Sequence, residues 1–129
     1  MKKKILIVSA NYYKDITKGL ISSALKLIPK TSRVKIIDVP GTFEIPMVIS
    51  RNINKYDAFL ALGCVIKGKT PHFDFISQAS INAIMDLSIT SKKPIGNGII
   101  TCLNMSQAKA RKIKGAEAAK AVISILSLK

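Results

Sequence analysis

Residues 56–75, YDAFLALGCVIKGKTPHFDF, decide how the chain folds. Tyr56 to Ile66 is an almost unbroken apolar run, ending on β-branched Val65 and Ile66. A run of that length without polar alternation is a strand covered on both faces, as in a parallel sheet. Gly68 then breaks the pattern, Thr70 stands at a capping position, and Pro71 suits the first residue of a helix. Residues 71–90, PHFDFISQASINAIMDLSIT, continue as one long helix. A doubly covered strand feeding directly into a helix is half of a βαβ unit.

The same alternation extends outward in both directions. KILIVSA (4–10), RVKIIDV (33–39) and PIGNGIITC (94–102) read as three further strands. Ile16, Leu20, Ala24, Leu27 and Ile28 give 15–28 a helical period that Pro29 ends. Residues 43–53 form a short helix with Pro46 in its first turn. Residues 105–126 read as a final helix with Gly115 as its break. The expectation is one α/β domain over 1–129: a three-layer αβα sandwich with a four-stranded parallel sheet, flavodoxin-like, strand 1 lying between strands 2 and 3. Sheets of this kind bind ligands beyond the carboxyl ends of the strands.

Gly63 to Thr70 also fits the phosphate-cradling pattern G-x-x-x-x-G-K-[ST]. The four middle residues, Cys64, Val65, Ile66 and Lys67, are too apolar and too β-branched for a loop of backbone N–H groups. They continue the strand. Asp38 at the end of RVKIID imitates a magnesium-binding strand end, but any strand followed by Asp gives that pattern. What survives is the turn itself: Gly68, Lys69 and Thr70 precede a helix start, where free N–H groups and the helix dipole favour an anion such as a phosphate monoester.

Composition narrows the classes. A hydrophobic share of 48% supports a packed core and argues against disorder. No apolar run reaches the roughly 18 residues of a membrane helix. Lys2, Lys3 and Lys4 before ILIV imitate a signal peptide, but the apolar part runs into Asn11, Lys14 and Asp15, so a first core strand in a cytoplasmic protein is expected. Cys64 and Cys102 both sit in apolar runs and read as buried thiols. One His and two distant Cys do not make a metal site, and none is expected. The net charge of +14 invites anions, yet 18 of the 21 basic residues are Lys, scattered along the chain without a nucleic-acid motif. Nucleic-acid binding is therefore not expected as the main function.

The strand ends carry the chemistry. Tyr12, Tyr13, Phe43, Phe73 and Phe75 are five of the seven Tyr and Phe residues, and all fall after strands. Aromatics usually fill cores, so this concentration implies a flat ring stacked there, with Glu44 accepting hydrogen bonds from it. His72, the only histidine, follows the anion turn by two residues. Imidazole gives and takes protons near neutrality. A structural histidine at a helix start is the competing reading, and Asp74 is close enough in sequence to orient the ring.

Together these segments resemble the 6,7-dimethyl-8-ribityllumazine synthase family. PGTFEIP (40–46) is similar to that family's P-G-[AST]-[FY]-E-[LI]-P, and ALGCVIKGKTPHFDF (61–75) to its strand, turn and histidine block. PIGNGIITCLNMSQAKAR (94–111) and KGAEAA (114–119) agree in the same order. The resemblance implies a cofactor-free transferase. It would condense 5-amino-6-(D-ribitylamino)uracil with 3,4-dihydroxy-2-butanone 4-phosphate, releasing phosphate and water. It assigns general acid–base work to His72 and phosphate binding to Gly68, Lys69, Thr70 and Arg111. It places the pyrimidine and ribityl chain on Tyr12, Thr42, Phe43, Glu44, Val65 and Ile66. Asn97, Gly98 and Lys114 would reach the site of a neighbouring subunit, in a pentamer or a shell built of pentamers. The chain departs from the family pattern in NYY after strand 1, in Lys69, and in a short link between Arg111 and Gly115. A flavodoxin-like module that binds a phosphorylated ligand without turnover is the alternative.

Overall fold

A computed structural model describes residues 2–128. The elements run β1 (Lys4–Ala10), α1 (Lys14–Leu27), β2 (Arg33–Val39), a 3₁₀ turn (Thr42–Glu44), α2 (Ile45–Arg51), β3 (Ala58–Ile66), α3 (His72–Ser91), β4 (Ile95–Cys102), α4 (Met105–Ala110) and α5 (Lys114–Leu126). All strand pairs are parallel, in the order β2-β1-β3-β4. The expected flavodoxin-like sheet is therefore present, with β1 between β2 and β3.

The sequence pattern of each strand follows its place. β1 and β3 are central and apolar almost throughout, and nearly every residue is buried. β2 is an edge strand whose first residues are exposed, so Arg33 and Lys35 cost nothing there. Two cores result. Ile5, Ile7, Leu60, Leu62 and Cys64 face α1 and α5; Leu6, Val8, Phe59, Ala61 and Val65 face α2 and α3. Fully burying one such side chain contributes about 1.5–3 kcal/mol, so both layers of helix are needed to hold the sheet.

Three boundaries differ from expectation. The segment 43–53 opens as a 3₁₀ turn, and α2 begins only at Ile45, with Pro46 in its first turn. Pro71, rather than Thr70, occupies the cap position of α3; the Thr70 hydroxyl still accepts from the His72 N–H at 3.4 Å. The last helical segment breaks at residues 111–113, ahead of Gly115. Gly115 lies inside α5, where a Cβ would strike the Leu20 carbonyl oxygen of α1. Glycine is there for close helix approach, and Ser23 seals the contact by donating to the Lys112 carbonyl at 2.7 Å and accepting from the Ala116 N–H at 3.0 Å. No helix among the described residues is long and apolar enough to cross a membrane.

Candidate active site

In this strand order the connections leaving β1 and β3 diverge to opposite faces, opening a crevice beyond their carboxyl ends. A cleft of about 560 Å³ occupies that place, within the range of small-molecule sites. Its floor is the tip of β3: Cys64, Val65 and Ile66. Tyr12 and Tyr13 wall it on the β1 side, and Gly41 to Glu44 form the opposite wall. Gly68, Thr70, His72, Phe73 and Ile76 close it from the turn and first helical turn of α3.

Gly63 lets these walls meet. A Cβ there would stand 3.0 Å from Thr42 Oγ1 and 3.1 Å from Ala10 Cβ, so the 3₁₀ turn rests directly on the β3 backbone. Thr42 is buried while Phe43 and Glu44 stay exposed at the rim, which leaves a ring and a carboxylate free for a ligand. The Ser80 hydroxyl donates to the Thr42 carbonyl at 3.5 Å and ties the turn to α3. Tyr12 and Tyr13 stack edge to face with centroids 4.9 Å apart. Tyr12 is 75% exposed, whereas Tyr13 packs against the α1 core. Burial first, then Tyr12 and Cys64 nearby, pushes the Tyr13 phenol above its ordinary value. Tyr12 is thus the more exposed of the two rings at the cleft.

Burial, helped by neighbouring Cys102, pushes the Cys64 thiol up to about 12. The thiol is neutral at physiological pH and serves as apolar floor, not as a nucleophile. Asp38 accepts from the Ser9 hydroxyl at 2.6 Å, a structural tie at the β1–β2 edge. No group of three or more metal-ligating side chains occurs among the described residues.

The chain brings His72, Gly68, Thr70, Tyr12, Thr42, Phe43, Glu44, Val65 and Ile66 into the one cleft. Lys69 is exposed on the turn and does not line it. Arg111, expected beside Gly68 and Thr70, lies elsewhere. It joins Asn97 and Lys114 in a second concavity of about 490 Å³ on the β4 edge, and its guanidinium donates to the Thr101 carbonyl at 3.1 Å. Lys114 is 3.6 Å from Glu117 in an exposed pair. Gly98 is buried in β4 with no room for a side chain: a Cβ would strike Leu62. Phe75 is 67% exposed and forms no part of the cleft. Ile76 was not anticipated, although it follows His72 by one helical turn and its face could have been read from that spacing.

Residues 2–129 match the family described as 6,7-dimethyl-8-ribityllumazine synthase. The chain belongs to that family. A 6,7-dimethyl-8-ribityllumazine synthase of Methylobacterium radiotolerans is 42% identical over 98% of this chain and 82% of its own length. One from Agrobacterium fabrum is 40% identical over 99% of this chain and 95% of its own length. Membership in the lumazine synthase family agrees with the flavodoxin-like order and gives the cleft its chemistry to account for.

Proposed function

We propose that the chain is a lumazine synthase of riboflavin biosynthesis and that the cleft at the tips of β1 and β3 is its active site. The observation that carries this reading is the convergence of His72, the Gly68–Thr70 turn and the aromatic and acidic rim on one floor, in a chain that matches the family along its length. The pyrimidine of 5-amino-6-(D-ribitylamino)uracil lies on Val65 and Ile66 beneath Tyr12 and Phe43. Glu44 accepts from its polar edge. The phosphate of 3,4-dihydroxy-2-butanone 4-phosphate meets the N–H groups of the turn at the start of α3, where the helix dipole adds to the attraction.

The reaction follows from that placement. The ring amine attacks the ketone, water leaves to give an imine, phosphate is eliminated, and the ribitylamino nitrogen closes the second ring with loss of water. Each stage moves a proton, and the His72 imidazole, which lines the cleft, is the group suited to carry it. Holding two substrates in reacting geometry supplies much of the acceleration.

The phosphate-binding arginine comes from a second copy. Arg111, Asn97 and Lys114 share a concavity of their own, and Phe75, Met85, Ile89 and Ile113 are apolar and exposed on the elements around it. A neighbour seated on these residues would cover them and complete both sites, in a homo-oligomer of the pentameric type. Subunit mixing tests this. His72→Ala and Arg111→Ala chains are each expected to be nearly inactive. Co-assembled in equal amounts they should recover about one quarter of wild-type turnover, the fraction of sites with an intact residue from each partner. No recovery in confirmed mixed oligomers would place both residues in one chain's site and refute the shared arrangement.

A further inference from the structure

The end of the sheet opposite the cleft carries a feature that catalysis does not use. Every strand starts there and α1, α2 and α3 end there, because all strands are parallel. Basic residues scattered along the sequence are gathered by this topology. A groove of about 520 Å³ on the α2 side of the β2 edge is lined by Lys4, Arg33, Lys35, Asn54, Lys55 and Tyr56, besides Val34. None of its lining residues is acidic. Lys2 and Lys3 are exposed beside it. The nearby carboxylate, Asp57, is engaged: its Oδ2 accepts from the Lys4 backbone N–H at 2.8 Å.

Local structure explains some of the charge at this end and leaves the groove unexplained. Lys26 and Arg51 lie in the last turns of α1 and α2, where cations favour the helix dipole. Lys93 donates to the Ile53 carbonyl at 2.6 Å. Arg33, Lys35 and Lys55 have no such employment: each is exposed, and none forms an ion pair or a side-chain hydrogen bond among the described residues. Like charges gathered in a concavity repel one another unless an anion enters.

We propose that this groove binds the phosphate backbone of a nucleic acid strand, without sequence preference. The trough is concave and carries four cations, which suits a strand of successive phosphates. A membrane surface is planar and is held by an apolar helix face inserted beside the charges, whereas the groove offers only Val34 and the ring of Tyr56. The Tyr56 ring is half-buried edge to face against Phe59, so the contacts the groove offers are to phosphates rather than bases. The proposal is independent of the lumazine synthase reading, since the groove and the cleft lie at opposite ends of the strands.

The test is fluorescence anisotropy of a labelled single-stranded RNA of mixed sequence with the full chain, across a salt series. Four phosphate contacts give a slope of log K against log salt of about −3. Arg33→Glu/Lys35→Glu/Lys55→Glu should weaken binding at least ~10-fold at low salt and bring the slope to about −1. Lys14→Glu/Lys18→Glu/Lys109→Glu carries the same charge change elsewhere and should stay within about threefold of wild type. If the groove variant misfolds by circular dichroism, Lys35→Gln/Lys55→Gln replaces it, with a slope change of about 1.4. Equal losses in both triple variants would show a net-charge effect and overturn the proposal. So would absent binding, displacement of RNA by inorganic phosphate beyond that by chloride at equal ionic strength, or tighter binding to phosphatidylserine vesicles.

Discussion

Replacing Gly63 by alanine tests how the cleft is built. The new Cβ would meet Thr42 Oγ1 at 3.0 Å and Ala10 Cβ at 3.1 Å, with Ile45 Cδ1 at 3.6 Å. Ordinary carbon contacts lie at about 3.5–4.0 Å, so something must yield by several tenths of an ångström. Ala10 ends the central strand β1, pairs with Val39 of β2 and is fully packed in the core, and is the stiffer neighbour. The short 3₁₀ turn carrying Phe43 and Glu44 is the softer one and should lift. Overpacking costs about 1–3 kcal/mol, and the reduced freedom of the unfolded chain returns about 0.4–1 kcal/mol. The net loss is about 1 kcal/mol, a fall in melting temperature of roughly 3–5 °C for a chain of this size. Catalysis should suffer selectively. A lifted Glu44 loosens charge-assisted hydrogen bonds, so KM for the pyrimidine substrate should rise about tenfold, while KM for the phosphorylated substrate stays within about twofold. Thermal melts and steady-state kinetics on both substrates are the assays. A Gly63→Ala protein at least as stable as wild type, with unchanged KM for the pyrimidine, would refute the packing argument.

Further predictions separate the parts of the site. Gly68 has nothing within 4 Å of an added Cβ and no positive φ, so Gly68→Ala should leave the melting temperature within about 2 °C while raising KM for the phosphorylated substrate, measured by initial rates. His72 is exposed and its side chain makes no hydrogen bond among the described residues, so His72→Ala should lower kcat by about 10²–10⁴ with unchanged thermal stability. Cys64, with its thiol at about 12 against an ordinary 9.0, should alkylate at pH 8 about 10³-fold more slowly in the folded than in the unfolded protein, read by mass spectrometry. Because the native state raises this pKa, it favours the neutral thiol. The resulting stabilisation is complete below about pH 9 and declines as pH rises toward 12, which urea melts at pH 8 and pH 10.5 would show.

How much of this was legible beforehand depended on whether a signal was local. The apolar runs of 4–10 and 56–66 announce doubly covered strands by themselves, and the parallel sheet follows from their alternation with helices. The cleft was legible because its residues follow strand tips directly: Tyr12, Phe43, Gly68 and His72 each sit a few residues past an apolar run. Arg111 could not be placed in this way. It lies in the turn between α4 and α5, and no periodicity says which end of β4 or which copy of the chain that turn serves. Gly115 read as a helix break because an isolated glycine weakens a helix, whereas its cause is the Leu20 carbonyl of α1, ninety-five residues away in sequence. The basic groove was invisible for the same reason: Lys4, Arg33 and Lys55 come from three separate strand starts.

The most direct test of the central claim is turnover itself. The purified protein, mixed with 5-amino-6-(D-ribitylamino)uracil and 3,4-dihydroxy-2-butanone 4-phosphate in metal-free buffer, should form a fluorescent lumazine and release phosphate in a constant ratio of about one to one, over many cycles per chain. Binding of both substrates without either product would contradict the account and leave the cleft as a phosphorylated-ligand module.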